Sequence, residues 1–341
     1  MTNVFLNTEA KARIKQPPVL YDQTQAIIRE IEEKTGVKAL IYCNSSRGNI
    51  CNNDAVALYE ILKKIEPSGK CALFIKSSGG NGEASLRIVN LIQEYFDEIV
   101  AWIPLECASA ATMIALGADE IHMGPLAHLS AIDSSLRHDL SPIDETENRR
   151  VSVSQDELAR IVSLWNTSGQ PHHDNPYQEI FKYIHPLVVG SIDRSSSLSI
   201  RICKEILSYH IDDETECDRI SKHLNSDYPS HGYPITSREA RKIGLNILPL
   251  DKYISNKLFD LNELYSEMAQ KAITDHDEYN YHDNEILNII EAHGIQIYYQ
   301  NDKDWNYIKE ERRWQPLNDE SFWRKIETTD GKSITSKLHI R

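Results

Sequence analysis

Between residues 38 and 123 the apolar positions switch between two periods. Short continuous runs at Lys38–Asn44, Cys71–Ile75 and Ile99–Ile103 read as strands buried on both faces. Between them, Ala57, Leu58, Ile61, Leu62 and Ile65 recur at helical spacing behind Asn53 or Asp54, either of which suits an N-cap. Ile88, Val89, Ile92, Tyr95 and Phe96 do the same within Glu83–Phe96. A helix from Ser109 to Leu116 and a short strand at Glu120–Met123 continue the alternation. Strands separated by helices imply parallel strands with right-handed crossovers, so the class is α/β.

Ile99 to Ala118 is almost continuously apolar and about as long as a bilayer span. Pro104 and Glu106 interrupt it where a turn is needed, and a mid-bilayer charge is costly, so a buried strand, a turn and a buried helix are expected and no membrane is. Further on, Leu187 to Tyr209 reads as a long amphipathic helix begun after His185-Pro186, and the polar stretch from Ser134 to Pro176 reads as an insertion. Lys11 to Ile31 reads as an arm and helix. Past Leu250 the texture changes: Glu285–Ala292 and Ile295–Tyr299 are periodic, and Trp305, Trp314 and Trp323 gather among Tyr298, Tyr299, Tyr307 and Phe322. Those aromatics suit either the core of a small helix-and-strand appendage or a surface for a protein partner. The division expected is an N-terminal arm and helix over 1–37, a core over 38–250 and an α+β appendage over 251–341.

Charge narrows the function. Thirty-seven basic against 51 acidic residues give a formal net charge of −14, which repels polyanions and excludes nucleic acid or an anionic membrane as a general partner. The six cysteines contain no CxxC pair and sit in core-like segments, as expected in a reducing cytoplasmic compartment, and the first ten residues lack a basic end followed by an apolar run, so no signal peptide is expected. His172-His173-Asp174, His276-Asp277 and His282-Asp283 lack ligands one helical turn apart with a third in range, so neither a metal nor a cofactor is expected. Gly331-Lys332-Ser333 ends like a phosphate loop, but Ile326 stands where a glycine is needed.

The informative chemistry lies at two strand ends. Ser109 sits in Glu106-Cys107-Ala108-Ser109-Ala110-Ala111-Thr112-Met113-Ile114, where an apolar strand turns into an apolar helix, and Ser77-Ser78-Gly79-Gly80-Asn81-Gly82 follows the preceding strand. In open α/β sheets ligands bind beyond the carboxyl ends of strands, and side-by-side strands would bring two glycine backbones to one serine. A nucleophile with pre-aimed N–H donors is one reading. A plain turn and an N-cap serine are the other. Cys107, with nothing basic beside it, is expected to be an inert thiol.

Together with Gly117-Ala118-Asp119-Glu120-Ile121-His122-Met123-Gly124-Pro125, Ala131-Ile132-Asp133 and the stretch from Tyr228 to Leu245, these segments resemble the Clp-fold serine peptidases, of the ClpP/crotonase superfamily. They are most similar to the serine dehydrogenase proteinase branch, related to signal peptide peptidase A. The resemblance covers roughly residues 38 to 250. It implies a spiral core of repeated ββα and βαβ units, Ser109 as nucleophile, and an oxyanion hole from Gly79, Gly80 and Ala110, with the Gly79 and Ala110 N–H groups as the expected donors. It also implies a homo-oligomer clamped through the 187–209 region. Where the family has its histidine and later its acid, this chain has Asp133 and His231, so the two roles are exchanged in chain order, which geometry permits. His128 is the competing base, Asp227 the competing acid, and Lys76 the nearest lysine base.

Three function classes follow. The first is an ATP-independent cytosolic serine endopeptidase acting on peptides or unfolded protein. The second is a crotonase-like coenzyme A enzyme. The third is a non-catalytic Clp-fold protein that binds a partner through its C-terminal appendage.

Overall fold

A computed structural model describes residues 13–65, 68–133, 135–144, 149–167, 175–329 and 331–340. Its frame is an eleven-stranded sheet made of β1 (Lys38–Asn44), β2 (Ser68–Lys76), β3 (Phe96–Ile103), β4 (Glu120–Met123), β5 (Ile247–Pro249), β6 (Ala272–Asp275), β7 (Asn280–Ala292), β8 (Ile295–Ile308), β9 (Arg313–Asp319), β10 (Phe322–Thr329) and β11 (Lys332–Leu338). The spatial order is β5-β4-β3-β2-β1-β7-β8-β10-β11, with β6 on β7 and β9 on β8. From β5 to β1 every pairing is parallel, and from β1 onward every pairing is antiparallel. The expected α/β class is therefore observed. The chain beyond 250 does not form a separate sheet, because Leu40–Asn44 of β1 pairs with Asn288–Ala292 of β7.

The helices are α1 (Tyr21–Thr35), α2 (Asn52–Leu62), α3 (Gly82–Gln93), α4 (Ala110–Ala115), α5 (Gln155–Thr167), α6 (Pro176–Ile180), α7 (Pro186–Leu207), α8 (Glu214–Ser226), α9 (Ser237–Ile243) and α10 (Lys252–Met268). They cover both faces of the sheet, which is why its parallel strands are apolar without alternation. Leu73 and Ile75 of β2 pack with Leu58, Ile88 and Ile114 on one face, while Ala72 and Phe74 pack with Ile28, Ile31, Leu258 and Tyr265 on the other. The Ile99–Ala118 run resolves into β3, a turn and α4, and no helix among the described residues is long and apolar enough to cross a membrane.

Three boundaries differ from expectation for local reasons. The N-cap of α2 is Cys51, because the Asp54 side chain turns back to accept from the Cys51 N–H at 2.7 Å and acts from inside the first turn. α3 starts a residue early, at Gly82, because Asn81 caps the Ala84 N–H, and it ends at Gln93, so Phe96 opens β3 and does not close the helix. Gly331 lies at a hairpin between β10 and β11 with φ 72°, so Gly331-Lys332-Ser333 has no strand-to-helix context. The His172-His173-Asp174 cluster lies outside the described residues.

Glu291 of β7 joins the N- and C-terminal helices. It is fully buried, and its carboxylate accepts from Thr24 Oγ1 (2.6 Å), Gln25 Nε2 (2.7 Å), Tyr265 OH (2.8 Å) and Gln296 Nε2 (2.6 Å). Burial pushes its pKa up, against those donors. Glu291→Ala would leave buried donors unmatched at about 1–3 kcal/mol each, so urea unfolding should show a loss of about 3 kcal/mol or more. Glu291→Gln, which keeps the shape, should lose less.

Candidate active site

Beyond the carboxyl ends of the parallel strands the backbone continues as a small ladder. Ser77 forms a parallel bridge with Cys107, the Ser77 N–H donating to Glu106 O (3.1 Å) and the Ala108 N–H to Ser77 O (2.9 Å). Gly80 forms another with Ile50, the Ile50 N–H donating to Gly79 O (2.9 Å) and the Asn81 N–H to Ile50 O (2.9 Å). Three chain segments are thereby fixed edge to edge around Ser109.

Such closeness needs glycine at both positions. A Cβ on Gly79 (φ 111°) would lie 2.6 Å from Ser109 Cβ, and one on Gly80 (φ 149°) 2.4 Å from Ile50 O. Ser109 itself has φ 54° and ψ −121°, a strained conformation for a residue with a side chain. Its hydroxyl does not cap α4, which removes the N-cap reading. The strain is held by Ser130, whose buried Oγ accepts from the Ser109 N–H at 2.7 Å, and by Thr112, which ties the Cys107 and Ser130 carbonyls to α4.

Ser109 opens into a cavity of about 360 Å³ also lined by Gly80, Ala110, Asp133 and His231. His231 Nδ1 lies 2.7 Å from Asp133 Oδ1, and Asp133 is much the more buried of the two. Among the described residues no hydrogen bond yet joins His231 to Ser109; catalytic contacts often tighten only when substrate is bound. Gly80 is exposed toward the cavity, and no acceptor among the described residues takes its N–H or that of Ala110. The Gly79 N–H, expected to be a donor to substrate, is instead buried and given to Ser77 Oγ at 3.1 Å.

The competing residues lie elsewhere. His128 belongs to a two-residue strand paired with Glu106–Cys107 and does not line the cavity. Asp227 caps the end of α8 with its carboxylate 2.6 Å from His223 Nδ1. Lys76 shares strand parity with Ala72 and Phe74, which face α1 and α10, and no described lysine lines the cavity. Burial pushes the Cys107 thiol far up, so it stays protonated. Neither Ser130 nor the Ile50 strap was foreseen from the sequence. Both act through tertiary approach of distant segments and carry no local motif.

No family model matches the chain. Two uncharacterized proteins of Methanocaldococcus jannaschii are similar to it: MJ0137, 23% identical over 281 residues (76% of this chain, 86% of that one), and MJ1495, 22% identical over 251 residues (70% and 75%). Among solved structures, a serine-to-alanine variant of the 1510-N membrane-bound stomatin-specific protease overlaps 69% of this chain and 88% of its own, with 16% identity and a TM-score of 0.39. A ClpP1 variant from Listeria monocytogenes overlaps 66% and 99%, with 15% identity and a TM-score of 0.36.

The hydrogen bond to Asp133 holds the His231 pKa above the ordinary imidazole value, partly offset by desolvation. Each pKa unit corresponds to about 1.4 kcal/mol between protonation states. An NMR titration should therefore place the His231 midpoint above that of a free imidazole in the parent and lower it in Asp133→Asn. His231 would then be neutral only on the alkaline side of the raised midpoint.

Proposed function

We propose that this chain is a serine peptidase that cleaves peptide bonds through an acyl-enzyme on Ser109. The observation that carries the reading is a strained serine sharing one cavity with a histidine whose Nδ1 is hydrogen-bonded to a partly buried carboxylate. In this mechanism Ser109 Oγ attacks the scissile carbonyl carbon while His231 Nε2 takes the hydroxyl proton. Asp133 holds the tautomer with the proton on Nδ1 and stabilises the imidazolium that forms. The oxygen of the tetrahedral intermediate accepts from the Gly80 and Ala110 N–H groups, at the start of α4 where the helix also favours negative charge. His231 then protonates the leaving amine, the C–N bond breaks, and water attacks the acyl-enzyme by the same steps to release the acid and restore Ser109.

The finer assignment follows the sequence resemblance: an ATP-independent endopeptidase of the serine dehydrogenase proteinase branch, cytoplasmic, acting on peptides or unfolded segments. Leu187 on α7, 61% exposed, supports self-association through that helix. The division at residues 37 and 250 is kept as a functional one, with the 38–250 core holding every group of the mechanism.

A fluorophosphonate probe read by intact mass tests the reading. The parent should gain one adduct and Ser109→Ala none. His231→Ala should slow labelling about a hundredfold or more, the usual worth of a general base, while His128→Ala and Asp227→Asn should match the parent. Labelling should rise with pH through the His231 midpoint, because only the neutral imidazole accepts the proton, and that rise should move to lower pH in Asp133→Asn. A folded parent that stays unlabelled from neutral to mildly alkaline pH sinks the proposal.

Gly79→Ala gives an independent check of the geometry. Its Cβ would displace Ser109, so labelling should fall steeply while the far-UV circular dichroism stays that of the parent.

A further inference from the structure

A second cleft, of about 280 Å³, lies on the sheet face formed by β6, β7, β8 and β9 and is closed on one side by Ile14 and Gln16 of the N-terminal arm. The Lys15 N–H fixes that arm by donating to Thr274 Oγ1 at 2.9 Å. Residues paired directly across antiparallel strands point to the same face. Thr274, His282, Asp304 and Asn318 therefore form one cross-strand row, and Asn284 and Asp302 begin the next. Glu320 follows, its N–H donating to Asp302 O at 2.8 Å.

Three carboxylates thus share one small cleft, and His282 is the one cation-capable side chain lining it among the described residues. The ring lies between two of the acids, Nδ1 2.9 Å from Asp304 Oδ1 and Nε2 3.3 Å from Asp302 Oδ1. His282 is only 5% exposed, yet its Nε2 makes no hydrogen bond of acceptable geometry. Asn318 Nδ2 satisfies Asp304 at 2.8 Å, whereas no described residue hydrogen-bonds the carboxylates of Asp302 or Glu320. Like charges crowded on one sheet face are destabilising when nothing neutralises them. Burial pushes the Asp302 pKa up, with Glu320 and Asp304 adding to the rise and His282 and Arg324 opposing it.

We propose that this cleft binds an organic cation through its N–H groups, a primary ammonium or a guanidinium held by Asp302, Glu320 and the buried His282 Nε2. The cleft offers two carboxylates, Asp302 and Glu320, that no described residue hydrogen-bonds, beside a buried ring nitrogen that makes no hydrogen bond of its own. A bare metal ion suits it poorly: oxygen ligands must converge to about 2.0–2.6 Å of one point, and no set of three metal-binding side chains does so among the described residues. A fork of N–H groups reaches acceptors set farther apart.

Agmatine, which carries a guanidinium and an ammonium, is the probe, titrated calorimetrically into the full chain at fixed ionic strength. The parent and Ser109→Ala should bind it equally. Asp302→Asn and Glu320→Gln should each weaken binding about tenfold or more, the loss of one charge-assisted hydrogen bond. Tetramethylammonium, equal in charge per group but without N–H donors, should not compete. N-acetyl-arginine amide separates the sources: competition by it assigns the cleft to an arginine of a protein partner, and binding of agmatine alone assigns it to a free amine. Absence of binding by both probes overturns the proposal, as does binding that tetramethylammonium reproduces or that both carboxylate variants leave unchanged.

Discussion

The site depends on a backbone ladder that outlasts the sheet. Main-chain bridges between Ile50 and Gly80 and between Ser77 and Cys107 hold three loops at strand spacing after their strands have ended. Main-chain hydrogen bonds are short and directional, so they set the relative position of Ser109 and Gly80 more tightly than side-chain packing would. Everything placed at that junction must be small or absent, and the chain answers with Gly79, Gly80, Ala108, Ala110 and Ala111. The strained Ser109 backbone is the remaining tension in this arrangement, and Ser130 and Thr112 absorb it through buried hydrogen bonds.

That ladder is anchored from the far end of the chain. Asp54 accepts from the Cys51 N–H and from Tyr42 OH (2.6 Å), and Asn288 of β7 donates to Asp54 Oδ1 and to Asn49 O, both at 2.8 Å. The loop that carries Ile50 is thus tied to a strand more than two hundred residues later in the chain. Burial raises the Asp54 carboxyl to about 6, so this anchor is itself a costly buried group retained where it steadies the Gly80 strap. Glu291, three residues further along β7, does the same for α1 and α10. The C-terminal strands therefore contribute to the shape of the site without lining it.

The two clefts differ in how they treat charge. Around Ser109 the Asp133 carboxylate is matched to the His231 imidazole, Glu83 being the other carboxylate that lines the cavity, and no described residue is hydrogen-bonded to His231 Nε2. Around His282 three carboxylates outnumber a single buried ring. The first balance suits moving a proton, and the second suits holding a positive charge in place.

Much of this could be read along the chain. Apolar periodicity located β1 to β4, α3, α4 and α7 within a few residues, because burial on both faces of a parallel sheet leaves a continuous apolar run between helical spacings. Ser109, the glycine pair and the Asp133 and His231 candidates were also legible, since small residues at strand ends and a family pattern are local properties of sequence. His231 with Asp133 was the leading pair, and the structure brings the two together; what the sequence did not supply was the exclusion of His128, which is nearer to Ser109 in the chain than His231, yet a strand pairing holds it away from the cavity. Nor did it supply the hydrogen bond that commits the Gly79 N–H to Ser77 Oγ, or the joining of β7 to β1. Those depend on register and on contacts between segments far apart in sequence, whose energies appear only once tertiary packing has brought them together. Sequence alone determined the elements and the reactive residue types; the tertiary structure decided which of them share one cavity.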